Sequence, residues 1–274
     1  MKFKAFIPFL LLTLCLPQTL KAQDEDSRYA PLDSLLAQFY VMLEAEPMEV
    51  KEAEMDSIID SCTDSLARQH VCLEIFDHYR YTRLMGEEEV AVHVFDRYLA
   101  DDTIRMKGDF DKFDAQMFAD FNRSTLLGMQ APVLTFQKPC GGKAEMPAEG
   151  RCSIIYFHDT SCSKCRLTAK LLPSVVDSID FKCNLYLIYC GSDAKAWRGY
   201  RREMKFHNRN VKVTHLWDPE NETSYQRTYG VISTPRMYMT EPQGCIIGRR
   251  LELDALKQLL PYAAAMQETY EKYR

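Results

Sequence analysis

The chain has 274 residues, 46% of them hydrophobic, with 34 lysines and arginines against 39 aspartates and glutamates and a net charge of −5. An acidic chain without a concentrated basic stripe is poorly suited to a nucleic-acid backbone or an anionic lipid surface, so no nucleic acid is expected and proteins are the expected partners. The length allows two modest domains, each able to bury its own core.

Residues Met1 to Ala22 read as a secretory signal peptide: Lys2 and Lys4 form a basic start, Ala5 to Leu16 an apolar core, and Leu20-Lys21-Ala22 a cleavage site before Gln23. The core is too short to span a bilayer. The mature chain is therefore expected to be exported, to the periplasm, with no membrane span. Losing these 22 residues leaves 252 and, because they carry three lysines and no acid, shifts the net charge to −8. It also removes Cys15 from the ten cysteines, and the odd number left means at least one thiol is free or pairs between chains. Export favours disulfide chemistry. Cys62, Cys72, Cys140, Cys152, Cys183, Cys190 and Cys245 lie in or beside apolar segments and are read as small buried hydrophobes.

Residues 23–127 are expected to form an all-helical domain, because their apolar residues recur at helical spacing. Leu32, Leu35, Leu36, Phe39 and Leu43 make one stripe, and Met55, Ile58, Ile59, Cys62 and Leu66 another. Cys72, Ile75, Phe76 and Tyr79 make a third, Ala91, Val94, Phe95 and Tyr98 a fourth, and Phe110, Phe113, Met117 and Phe121 a last one. These stripes are read as core. The pattern changes at Gly128, which opens a second domain over 128–274.

In that domain strands and helices alternate, which predicts a largely parallel or mixed sheet. Strands are expected at Cys152–Phe157, Asn184–Tyr189, Val211–Trp217, Met237–Met239 and Cys245–Ile247, the last two joined by a turn over 241–244. Helices are expected from Cys162 to Ile179, from Asp193 to Phe206, over a short stretch capped by Asn221, and from Leu251 to Tyr270. The cations of the 193–206 helix, Arg198, Arg201, Arg202 and Lys205, are read as a solvated face.

The chemistry concentrates at Cys162-Ser163-Lys164-Cys165, where an apolar strand gives way to a helix. Two cysteines three apart at a helix start can close a small disulfide, and the helix dipole favours a thiolate on the first. Lys164 adds positive charge that tunes the same pKa. No second Cys-x-x-Cys or close histidine pair supplies further zinc ligands, so neither metal nor cofactor is expected.

A Cys-x-x-Cys at a strand-to-helix turn, followed by Thr234-Pro235 ahead of a β-hairpin and a C-terminal helix, resembles the thioredoxin superfamily. More narrowly, with the lead-in GMQAPVLTFQ, it is similar to the TlpA/ResA-like branch of exported bacterial thiol:disulfide oxidoreductases. The helical domain resembles an uncharacterised module joined to such proteins in Bacteroidetes. The resemblance implies an α/β thioredoxin-like fold, a redox-active Cys162–Cys165 pair, and Pro235 in cis beside it. It also implies that Thr234 and Pro235 bind an extended substrate. Reduction of exported protein disulfides follows, fed by a membrane electron donor of the thiol-relay type. Two positions depart from the family: Ser161 stands where a Trp precedes the first cysteine, and Tyr156 where many relatives place a buried acid. His158 and Asp159 are the nearest titratable substitutes, and His158 is a candidate for pKa tuning. These departures keep alive a redox-weak, peptide-binding or scaffold protein as the alternative. A peroxiredoxin is a poorer match, because Thr160 lies only two residues before Cys162 and that family's spacing is longer.

Overall fold

The computed structural model describes residues 28–274, so the expected signal segment lies outside the described residues. The chain divides into two compact units at Ala119/Asp120. The sequence boundary at 127/128 falls later, because residues 120–125 bond to the second unit: Arg227 donates to Asp120 (3.1 Å) and Arg249 to Asn122 (2.8 Å).

The first unit is helical: α1 (Ala30–Leu43), α2 (Met48–Ser61), α3 (Ser65–Arg80), α4 (Glu88–Val94) continuing into a π-helical turn (Phe95–Leu99), and α5 (Asp109–Asn122), whose last turn crosses the division. Local signals set the starts. Pro31 sits in the first turn of α1, and the Asp64 carboxylate accepts the Ala67 N–H (2.8 Å) at the start of α3. Leu36, Met55, Ile59, Cys72, Phe76 and Phe95 join one core, as their spacing predicts. Two stripes deviate. Phe110 and Phe113 are 79% and 62% exposed, because α5 instead turns the fully buried Ala115 and Ala119 inward, where small side chains one turn apart allow close packing. Leu66 is likewise exposed and Ala67 buried in its place.

The second unit holds a seven-stranded sheet of β1 (Leu134–Gln137), β2 (Lys143–Met146), β3 (Cys152–His158), β4 (Cys183–Tyr189), β5 (Val211–Trp217), β6 (Arg236–Thr240) and β7 (Ile246–Arg249). The spatial order is β2-β1-β5-β4-β3-β6-β7. Central β3, β4 and β5 run parallel, and β6, β7, β1 and β2 add antiparallel edges. The helices are α6 (Ser163–Asp177), α7 (Ala194–Glu203), the single turn α8 (Tyr225–Thr228) and α9 (Leu253–Tyr273). Because side chains alternate along a strand, Ile154 and Tyr156 pack toward Leu172 and Val176 of α6, while Ile155 and Phe157 pack toward Tyr225 and Tyr229 on the other face. Both faces are covered, so β3 and β4 are buried throughout.

Two sequence expectations are corrected. Asn221 does not cap α8; it sits at φ 53°, and Asp218 takes the loop N–H groups of Glu222 and Thr223 (2.9 Å each) while Ser224 precedes the helix. Cys140 is exposed, in the turn between β1 and β2, and Cys190 and Cys245 are half-exposed; of the seven, Cys62, Cys72, Cys152 and Cys183 are buried.

Gly230 closes the turn after α8 at φ +57°, and a Cβ there would lie 2.2 Å from the Phe121 carbonyl oxygen. Gly230→Ala is therefore expected to lower stability by roughly 2 kcal/mol or more, read as a fall in the urea midpoint.

Candidate functional site

The end of β3 delivers the site. After His158 the chain turns through Asp159, Thr160 and Ser161 into α6. The Asp159 carboxylate accepts the Ser161 N–H (2.8 Å) and hydroxyl (2.9 Å), and Arg166 donates from α6 to the Thr160 and Ser161 carbonyls (3.1 Å each). These bonds fix where the helix begins. Cys162 occupies the N-cap with extended backbone, and its Sγ accepts the Cys165 N–H at 3.1 Å.

The two cysteines are unequal. Cys162 is half-buried and its thiol donates to the Thr234 carbonyl at 3.2 Å, whereas Cys165 is fully buried one turn into α6. Burial works against the Cys162 thiolate, but hydrogen bonds from the Cys165 thiol and N–H, Thr234 and the Lys164 N–H outweigh it and hold its pKa below the ordinary thiol value. Burial pushes Cys165 up to about 11, and its bond to Cys162 adds to the rise. Both are free thiols here.

Thr234 and Pro235 meet the dithiol from the loop before β6, and the Thr234–Pro235 peptide is cis. The Lys164 ammonium reaches Glu252 at 2.7 Å on the surface, which offsets its charge, while the Lys164 backbone N–H bonds to the Cys162 sulfur and favours its thiolate. A groove of about 530 Å³ is lined by Tyr156, Leu167, Leu171, Pro235, Met237 and Glu252, and by Lys164, which stands between the two cysteines in sequence.

His158 is fully buried, and neither ring nitrogen has a hydrogen-bond partner. Its ring stacks on Tyr200 of α7 at 4.2 Å and 19° and on Tyr156 at 5.5 Å and 23°. Burial, and then His215, drive its pKa down to about 3, so the ring is neutral through the physiological range. Tyr200 escapes a local reading of the sequence: it is on the buried face of a helix whose outer face carries Arg198 and Arg202, and its distance from β3 in the chain gives no sign that the two meet.

Among the described residues no group of three or more His, Cys, Asp and Glu side chains is arranged to hold a metal ion, and no helix is long and apolar enough to cross a membrane.

No family model matches the chain, and no curated protein matches it. Among solved structures, a thioredoxin-like protein from Bacteroides caccae is similar over 93% of this chain and 92% of its own, with a TM-score of 0.66 at 14% identity. The thioredoxin domain of a thiol-disulfide oxidoreductase from Bacteroides vulgatus is similar over 50% of this chain and 97% of its own, at 18% identity and a TM-score of 0.45. A domain of a possible thiol-disulfide isomerase from Cytophaga hutchinsonii covers 53% and 97%, at 22% identity and a TM-score of 0.43. The first likeness establishes the fold: an all-α unit followed by an α/β thioredoxin-like unit.

His158, fully buried, and His215, partly buried, set a pH dependence of stability. His158 (about 3) and His215 (about 4, through burial and then Arg201) lie below the unfolded value near 6.5, so between these limits the unfolded chain binds more protons. Their stabilisation is complete above pH 6.5 and is lost as pH falls toward 4, by up to about 1.4 kcal/mol per pH unit for each ring. Urea midpoints measured from pH 7 to 4 should fall accordingly, and His158→Phe should remove about one proton from the slope.

Proposed function

We propose that the chain is an exported thiol:disulfide oxidoreductase that exchanges disulfides with protein substrates through Cys162 and Cys165, acting as a reductase. The observation that carries this reading is the inequality of the pair: an accessible sulfur with lowered pKa at a helix N-terminus, and a buried partner one turn behind it with raised pKa. Nucleophilic thiols need access and a favoured thiolate, and Cys162 is half-buried rather than buried, with its pKa held below the ordinary thiol value.

In the forward direction the Cys162 thiolate attacks one sulfur of a substrate disulfide. The substrate S–S bond breaks, its far sulfur leaves as a thiolate that takes a proton from solvent, and a mixed disulfide on Cys162 remains. Cys165 then loses its proton and attacks Cys162 Sγ, which forms the Cys162–Cys165 disulfide and releases the second substrate thiol. The substrate gains two electrons and the dithiol loses two. A membrane donor of the thiol-relay type restores the dithiol by the reverse steps. Thr234 and Pro235 flank Cys162, and the Thr234 backbone is the expected pairing point for an extended substrate, which is recognition by strand addition. Lys164 contributes through its N–H, and His158 acts on the thiols through the rings it packs against. The Met1–Ala22 segment supports export, to the periplasm.

The pair of serine variants tests the roles. Cys162→Ser should reduce mixed-disulfide formation to background, whereas Cys165→Ser should accumulate the substrate adduct on Cys162, read by mass of the trapped complex. Equal behaviour of the two variants contradicts the assignment.

A further inference from the structure

Tyr156 lies on the face of β3 that packs against α6, and it lines the groove beside that helix. Its side chain is fully buried, and its hydroxyl completes no hydrogen bond of good geometry; the Tyr200 hydroxyl beside it is buried and unpartnered as well. Buried hydroxyls without partners are rare in folded proteins and call for a reason. The polar groups lying against the Tyr156 hydroxyl are the Cys165 thiol, Thr168 one turn further along α6, and Tyr200. The Tyr200 ring is in turn held by its stack on His158.

A neutral thiol is a weak acceptor and a thiolate a strong one. The contact between the Tyr156 hydroxyl and the Cys165 sulfur, weak in the dithiol state, therefore strengthens when Cys165 ionises. We propose that Tyr156 is a catalytic residue of the resolving step, its hydroxyl donating to the Cys165 sulfur as the thiolate forms. The interaction is stronger in the transition state than in the resting dithiol, which is the condition for accelerating the step. Its proton stays on oxygen: burial holds the Tyr156 hydroxyl far above its ordinary pKa, so it donates and never competes as a base. The proton that Cys165 loses passes to solvent, the Cys162–Cys165 bond forms as the bond from Cys162 to the substrate breaks, and the departing substrate thiolate is protonated by solvent. The oxidant is the substrate disulfide.

This inference rests on the oxidoreductase reading, and the experiment separates the two. The reduced full chain, with the more accessible Cys140 and Cys245 replaced by serine, is mixed with 5,5′-dithiobis(2-nitrobenzoate) and quenched in acid at intervals. The mass of the Cys162 peptide then follows first the adduct and then the internal disulfide. In Tyr156→Phe, which keeps the ring, adduct formation should match the parent within about twofold. Closure should slow about tenfold or more, equivalent to roughly 1.4 kcal/mol of barrier, with its pH profile moved upward. Thr168→Val, which leaves both Tyr156 and Cys165 in place, should close at the parent rate or faster. Closure at the parent rate in Tyr156→Phe, or slowed closure in Thr168→Val, overturns the role of Tyr156. A parent chain that forms no adduct on Cys162, or never closes, overturns the oxidoreductase reading instead. A Tyr156→Phe chain that loses stability but closes at the parent rate assigns the hydroxyl to packing and also overturns the proposal.

Discussion

The hydrogen bond from the Cys165 N–H to Cys162 Sγ, 3.1 Å at the first turn of α6, is the contact on which the site depends. It makes a sulfur the cap of a helix, where backbone N–H groups and the dipole favour negative charge. The same geometry separates two chemically identical side chains. One is half-buried and faces the Thr234 carbonyl, and the other is fully buried one turn into the helix, where burial holds it protonated. A dithiol whose members differ in this way has a built-in order of events.

The sheet exists, for this purpose, to aim that turn. β3 and its parallel neighbour β4 are covered on both faces, so β3 is buried to its last residue, and the Asp159 and Arg166 bonds tie the turn that follows it to the start of α6. The layer that packs around Tyr156 holds a buried imidazole, His158, whose ring nitrogens make no hydrogen bond of good geometry, and the Tyr156 and Tyr200 hydroxyls, which make none either. Such groups oppose stability. His158 stacks on both Tyr156 and Tyr200, so these three side chains form one packed group.

Much of this was legible in the chain. The Cys-x-x-Cys at a strand-to-helix turn and the apolar runs at 152–157 and 184–189 are local signals, and Val211–Trp217 is a strand with those very bounds. Thr234-Pro235 was legible only through family resemblance. What failed was register that tertiary packing decides: Phe110 and Phe113 fit a helical stripe, but Ala115 and Ala119 allow the closer approach and so face inward. Asn221 has the chemistry of a cap, yet Asp218 takes the loop's N–H groups. Tyr156 drew notice as a departure from a family pattern, but its meeting with Tyr200 joins residues far apart in sequence, which periodicity cannot reveal.

The measurement that bears most directly on this account is a redox titration of the Cys162–Cys165 pair in the purified chain, equilibrated with thiol/disulfide buffers and read by mass after alkylation. The account predicts a single reversible two-electron transition confined to these two cysteines, at a reducing potential near the roughly −270 mV of thioredoxin. A pair that never closes at accessible potentials would contradict the dithiol mechanism, and a midpoint near about −120 mV would contradict the reductase direction.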